Sequence, residues 1–350
     1  MAAQPEVIQM AGPFNFLSQW KTARNLMLSV NSQLAWNTAL ADAALTQRQR
    51  FDGAAVLERK ITRRSDIAYA GKGTAFATNG QITAYDTALS GAKFELSSWL
   101  AGWACAFLMG TDTVVGVAAP YTHTFTFDES TRTAVPTTIY MEDTEDVHYK
   151  CPDMCIGDLT LTISEIGAIM LELGMTGTGI QILGSMAAPL PVAPAETYLL
   201  GSDAVLNFGP VGAPASLVGR HMSTTLKLEN QLMVHRAPGG GLYGIFVRKG
   251  NPKFSLSTVF AAKDTDDVYA RFDNDTPCDY ELAVNSGAAA QLTISVPQMH
   301  LKTTKLGFDG DMVVWQVEND ETTNYQAAGV PPITIGVTNS VASYLAAPGA

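Results

Sequence analysis

The sequence predicts a mainly β protein made of two tandem β-sandwich or partial-barrel domains, each with an α-helix on its flank. Short runs that alternate apolar and polar residues recur along most of the 350 residues, and alternation is the period of a half-buried strand. One run is written twice, since Lys253-Phe254-Ser255-Leu256-Ser257-Thr258 repeats the pattern of Lys93-Phe94-Glu95-Leu96-Ser97-Ser98. Each copy leads into a candidate helix, Trp99 to Met109 and Asp264 to Asp275, and then into another β-rich stretch. Three elements in the same order describe two related halves about 160 residues apart, an arrangement suited to a ring or array.

The length accommodates two domains, each with its own core. Hydrophobic residues at 47% and charged residues at 16% exclude disorder. No apolar run reaches membrane-spanning length, so no membrane partner is expected. Met1-Ala2-Ala3-Gln4-Pro5 lacks the basic flank and apolar core of a secretory signal, so synthesis in the cytosol is expected. The net charge of −11 is uneven: residues 1–65 carry eight Lys and Arg against four acids, and residues 66–200 carry four against fifteen. A basic arm thus precedes an acidic body. Such a body makes a poor binder of polyanions, because nucleic-acid affinity comes largely from neutralised phosphates.

In chain order, Phe16, Trp20, Ala23 and Met27 recur at near-helical spacing, and Leu34, Trp36, Leu40 and Leu45 continue the apolar pattern. This arm, residues 1–55, reads either as a helical segment on its own body or as a contact to a neighbouring subunit. The first β domain is placed at 56–185. Its helix, Trp99 to Met109, has almost no polar face, so it must be covered on every side, by the same chain or by another domain or subunit. Strands follow at Tyr121–Phe127, Thr137–Met141, Leu159–Ile163 and Ala168–Gly174, with an acidic loop at Glu142–Asp146. Residues 186–200, rich in Pro and Ala, read as a stiff linker. The second β domain is placed at 201–325, with strands at Thr224–Asn230, Leu242–Arg248, Tyr280–Val284, Gln291–Val296, His300–Thr304 and Met312–Val317. Its helix is expected to be capped by Asp264, to hold Val268 and Phe272 on one buried face, and to end at Pro277. Residues 326–350 form a tail with one further candidate strand, Ile333–Val337.

No chemical constellation emerges. Cys105, Cys151, Cys155 and Cys278 include a Cys-x3-Cys pair, but no second pair or histidine cluster completes a zinc site, and buried free thiols are expected. His123, His148, His221, His235 and His300 are scattered outside any metal spacing. Gly177-Thr178-Gly179 lacks the spacing of a phosphate cradle, and neither a nucleophile elbow nor a Walker loop is present. No catalytic, cofactor-binding or metal-binding residue is assigned, no cofactor is expected, and the protein is expected not to be an enzyme.

The second half resembles the tail tube proteins of long-tailed, siphovirus-like bacteriophages, in particular those that run as two linked halves. The resemblance is carried by Thr224 to Asn230, the connection through Gly239 to Gly241, Gly250 before Lys253 to Thr258, the helix to Asp275, and Leu292-Thr293-Ile294-Ser295-Val296-Pro297. In the first half it is looser, through Tyr121-Thr122-His123, Pro136 to Tyr140, and Cys155 to Ile163 with the strand to Gly174. It covers most of residues 55–320, and residues 1–50 match nothing in it.

The resemblance implies tandem tube-like sandwiches in which one sheet lines a central channel, and a virion protein made in the host cytoplasm that self-assembles into stacked rings. The implied partners are the tail terminator, tape measure and distal tail proteins, with DNA passing through the lumen without specific binding. Rings of single-domain relatives resemble hexamers, so two tube domains per chain would give a trimer of pseudo-sixfold appearance. A hexamer follows if only one half is a tube domain. Another tail ring protein, such as a distal tail or baseplate component, is the alternative, and a carbohydrate-binding sandwich is a weaker third.

Overall fold

The computed structural model describes residues 25–51, 55–65, 80–142, 148–184, 186, 197–321 and 329–346. The first half holds β1 (Asn25–Leu28), β2 (Gln47–Arg50), β3 (Val56–Ser65), β4 (Gly80–Glu95), helix α1 (Ser98–Met109), β5 (Thr113–Val115), β6 (Tyr121–Phe125), β7 (Thr137–Glu142), β8 (His148–Ser164), β9 (Met170–Gly177) and β10 (Ile182–Leu183). The second half holds β11 (Ala204–Pro210), β12 (Ala215–Ser216), β13 (His221–Glu229), β14 (Met233–His235), β15 (Phe246–Arg248), β16 (Lys253–Ala261), helix α2 (Val268–Asp273), β17 (Cys278–Gly287), β18 (Ala290–Met299), β19 (Leu301–Asp309), β20 (Met312–Asn319) and β21 (Thr334–Asn339). The protein is mainly β, with antiparallel sheets and few helices, as the alternating pattern predicts.

The larger sheet contains the run β3-β4-β9-β8-β13-β16-β20-β19. Each half contributes four strands in the same spatial order, with its fourth strand in chain order lying inside its third. The first part of β8 leaves this run to pair with β7 and β10, and β1 and β2 lie beyond β7. The second sheet runs β12-β11-β17-β18-β21-β6-β5. There β18 leads directly into β19, just as the two parts of β8 follow one another, so the halves share one topology. Even an irregularity repeats: β8 bulges between Ile156 and Asp158 against β9, and β19 bulges between Leu301 and Thr303 against β20. Bulges re-aim a strand at a fixed point, so matching bulges mark matching positions. One apolar cluster runs from Leu26 through both sheets to Val337, so the halves share a core where the composition allowed each its own.

Helix α1 is the centre of that core. The Ser97 hydroxyl accepts a bond from the Leu100 amide at 3.2 Å, capping the start, and Gly110 in the left-handed region (φ 85°) closes the end. All of its residues are buried. The cover comes from the same chain: Tyr344 lies directly on Gly102, Asn339 donates to the Ser98 carbonyl at 3.0 Å, and the Trp103 indole donates to the Ser29 carbonyl at 2.9 Å.

Four expectations are corrected. The apolar spacing between Met27 and Leu45 is not helical, because β1 and β2 form a hairpin that adds to β7 and buries Met27 and Leu45 beside Tyr140. Arg48, Arg50, Arg59, Lys60, Arg63 and Arg64 lie on β2 and β3, so most of the basic charge belongs to the sheets and not to an arm. Helix α2 is shorter than expected, Asp267 at its start makes no side-chain cap, and Phe272 is exposed while Val268 is buried. Asp266 instead accepts from Arg220 and from the Lys263 amide. The written repeat is also out of step: Lys93 stands near the end of β4, whereas Lys253 opens β16. The linker at 187–196, most of the acidic loop at 143–147 and the first 24 residues lie outside the described residues.

Candidate functional site

The larger sheet presents two surfaces. The first is the face turned away from the core. Alternation along β8, β13 and β16 buries Leu159, Leu161, Ile163, Leu226, Leu228, Phe254 and Leu256, and turns Thr160, Thr162, Thr225, Lys227, Ser255 and Ser257 outward. Cross-strand pairing sets Glu95, Met170, Thr162, Thr225, Ser257, Glu318 and Thr303 side by side across the sheet. The next row is Lys93, Glu172, Thr160, Lys227 and Ser255. Half of these twelve positions carry hydroxyls, and the two lysines are held by carboxylates.

Lys93 pairs with Glu172 at 3.4 Å, and Lys227 pairs with Glu229. The hydrogen bond to Glu229 raises the Lys227 pKa above its ordinary value. Asp158 is also raised, first by burial; Lys227 opposes the shift, and Glu229 and Glu172 add to it. Gly174 lies beneath it, where a Cβ would stand 2.1 Å from the Asp158 carboxylate unless that side chain moved. Among the described residues, both lysines of these two rows are paired with a carboxylate.

The second surface is the pair of open edges. Among the described residues β3 pairs only with β4, and β19 only with β20. Glu58, Lys60 and Arg63 on β3 and Lys302 and Lys305 on β19 are exposed, as are Leu306 (58%) and Phe308 (80%). Edge charges keep such strands solvated in a single chain. Every neighbouring pair in the run is antiparallel, so the two edges run in opposite directions and are complementary.

A segment of the second half also packs on the first. After β13 the chain returns over the first half through β14 and β15: the Tyr85 amide donates to the Leu242 carbonyl at 2.9 Å, and the Gly244 amide to the Thr178 carbonyl at 2.8 Å. Tyr85 stacks on Tyr243 with ring centres 5.3 Å apart, and Arg236 pairs with Asp86. Gly177-Thr178-Gly179 therefore serves packing: Thr178 donates to Asp153 at 2.6 Å, and a Cβ on Gly179 would meet the Tyr85 carbonyl at 2.3 Å. Buried Asp153 also accepts from Gln33 and from the Asn37 amide, fixing the chain between β1 and β2.

The described histidine and cysteine side chains are dispersed. His123 lies between Asp112 and the Val341 carbonyl, each at 2.8 Å, His221 meets Thr224, His235 stacks on Phe246 and His300 meets Asp275. The side chain of His148 lies outside the described residues. Cys105, Cys151, Cys155 and Cys278 are free and buried. Burial pushes the Cys105 and Cys151 thiols up to about 12 and Cys278 to about 11. Among the described residues no three His, Cys, Asp or Glu side chains gather to hold a metal ion, and no helix is long and apolar enough to cross a membrane.

Sequence reading identified most strands of this sheet but not the surfaces they form, since the order of strands in a sheet is set by non-local pairing. The exposed charges of β3 were the available signal. No curated protein matches the chain by sequence. Residues 36–335 match the family model described as phage tail tube protein, and the chain belongs to that family, a structural protein of the bacteriophage virion located in its tail.

Proposed function

We propose that the protein self-assembles into stacked rings that form the tube of a siphovirus-like tail, the conduit through which the genome leaves the virion. The observation that carries this reading is the repeated strand order in one continuous antiparallel sheet with two open, oppositely directed edges. A head-to-tail ring closes when the rotation between successive units is right, and a covalent link between two units replaces one contact in two without changing that rotation. The regions 56–185 and 201–325, joined through 186–200, act as the two units. Three chains then supply what six single-unit relatives supply, and the ring is a trimer with pseudo-sixfold appearance. The hydroxyl-rich outward face lines the lumen, where paired charge lets DNA slide without specific binding. Terminator, tape measure and distal tail proteins bound the tube. No catalysis is part of this role. Electron microscopy of the purified full chain tests it: stacked rings or tubes are expected. Single rings that never stack would favour a distal component, and a persistent monomer would refute assembly by this chain alone.

A further inference from the structure

The two halves of one chain already display a contact between repeat units. Across the sheet β8 is the last strand of the first unit and β13 the first strand of the second, and they pair antiparallel with Leu161 opposite Leu226, Thr160 opposite Lys227 and Leu159 opposite Leu228. This junction depends on backbone pairing and core-side contacts, so a second junction of the same kind can be read from it.

The correspondence between units is fixed by the bulges, which place Ile156 on Leu301. On the core side, the row Leu161-Leu171-Phe94 then matches Leu306-Trp315-Phe260, in which each neighbour is a pairing partner. The row Ile156-Met175-Leu89-Leu57 matches Leu301-Asn319-Leu256-Leu226, where the Asn319 side chain accepts from the Leu256 amide at 2.6 Å. Leu306 on edge β19 thus takes the place of Leu161, and Leu57 on edge β3 takes the place of Leu226.

We infer that β19 of one copy pairs antiparallel with β3 of the next copy in the register that sets Leu306 opposite Leu57 and Lys305 opposite Glu58. The inference rests on the ring reading and adds the residues that make the contact. Leu306 and Phe308, largely exposed in the single chain, gain an apolar neighbour in Leu57 and Ala55. Glu58 and Lys305, exposed and without an ion-pair partner among the described residues, face one another. The apolar pair Leu159–Leu228 becomes Thr304 opposite Arg59, and the Thr304 hydroxyl is a buried group with no hydrogen-bond partner among the described residues. Other registers fail on simple grounds. A slip of one residue turns each side chain to the wrong face. A slip of two in one direction sets Lys305 opposite Lys60 and Leu306 opposite Arg59, and in the other sets Glu58 opposite Thr303 and Lys305 opposite Val56, so the ion pair is lost.

Cysteine cross-linking of the assembled full chain tests the register. The Lys305→Cys, Glu58→Cys double variant is expected to give disulfide-linked multimers on oxidation that reduction dissolves, while Lys305→Cys with Lys60→Cys links at least about tenfold less, because directly opposed residues are near each other and diagonal ones are not. Assembled particles in which the Lys60 pair links better, or in which neither pair links, would overturn the register and leave the ring reading intact. Wild-type protein that never assembles would remove the ring reading itself. Charge reversal covers the case of a variant that assembles poorly. Glu58→Lys is expected to raise the critical concentration for assembly about tenfold, and adding Lys305→Glu to restore it. An unrescued double variant that is folded by circular dichroism, or a single reversal without effect, contradicts the pairing.

Discussion

Leu161 and Leu226 stand opposite one another on adjacent strands, although one belongs to the first half of the chain and the other to the second. Both are buried in the cluster that contains helix α1 and the strands of both sheets. The junction between the halves is therefore part of the core.

Truncating that junction is expected to destabilise the whole chain. Leu226→Ala should cost about 2–5 kcal/mol, the range for a buried leucine, and denaturant unfolding should remain one transition for both halves. Two separate transitions, with only one moved by the substitution, would show that the halves keep independent cores.

Helix α1 depends on the absence of a side chain at Gly102, where a Cβ would come within 2.6 Å of the Tyr344 ring. Gly102→Ala should lower stability by about 1–3 kcal/mol through overpacking. In a Tyr344→Ala background the same change should cost markedly less, since contacting residues couple. Equal costs in both backgrounds would mean that Tyr344 does not occupy this place.

Much of this core was legible from sequence. Period-two runs such as Leu159–Ile163 and Gln291–Val296 became strands because half-buried strands demand that alternation, and the all-apolar run after Trp99 became a helix buried on every side. The chain between Met27 and Leu45 misled because short edge strands at the far end of a sheet carry too few residues to show a period. The repeat was real in topology but mislocated by the Lys-Phe-x-Leu-Ser match: equivalent strands conserve burial and bulges, and these do not specify residue identity. The two open edges could not be read at all, since which strand lacks a neighbour is decided by the whole sheet.

The four cysteines should be silent in the native protein. Burial raises each thiol, with Cys155 held well above the ordinary range, so little nucleophilic thiolate forms at neutral pH. A chromogenic disulfide reagent should titrate all four in denaturant and essentially none in buffer. Fast reaction of any one in the folded protein would contradict its placement.

Stability should fall on mild acidification through His221, whose imidazole burial pushes down to about 4 from an unfolded value near 6.5. The folded state then binds fewer protons than the unfolded state between these values. The contribution is complete above about pH 6.5 and is lost as the pH falls toward about 4, by at most about 3 kcal/mol. His221→Gln should flatten the pH dependence of denaturant midpoints in that window, and an unchanged slope would place its origin elsewhere.

The symmetry of a ring tests most directly the proposal that one chain supplies two equivalent tube units. A cryo-electron microscopy reconstruction of assembled particles is expected to show three chains per ring, with the strands of β3-β4-β9-β8 and β13-β16-β20-β19 alternating around one closed barrel. Six equivalent chains per ring, with only one half of each reaching the lumen, would contradict it.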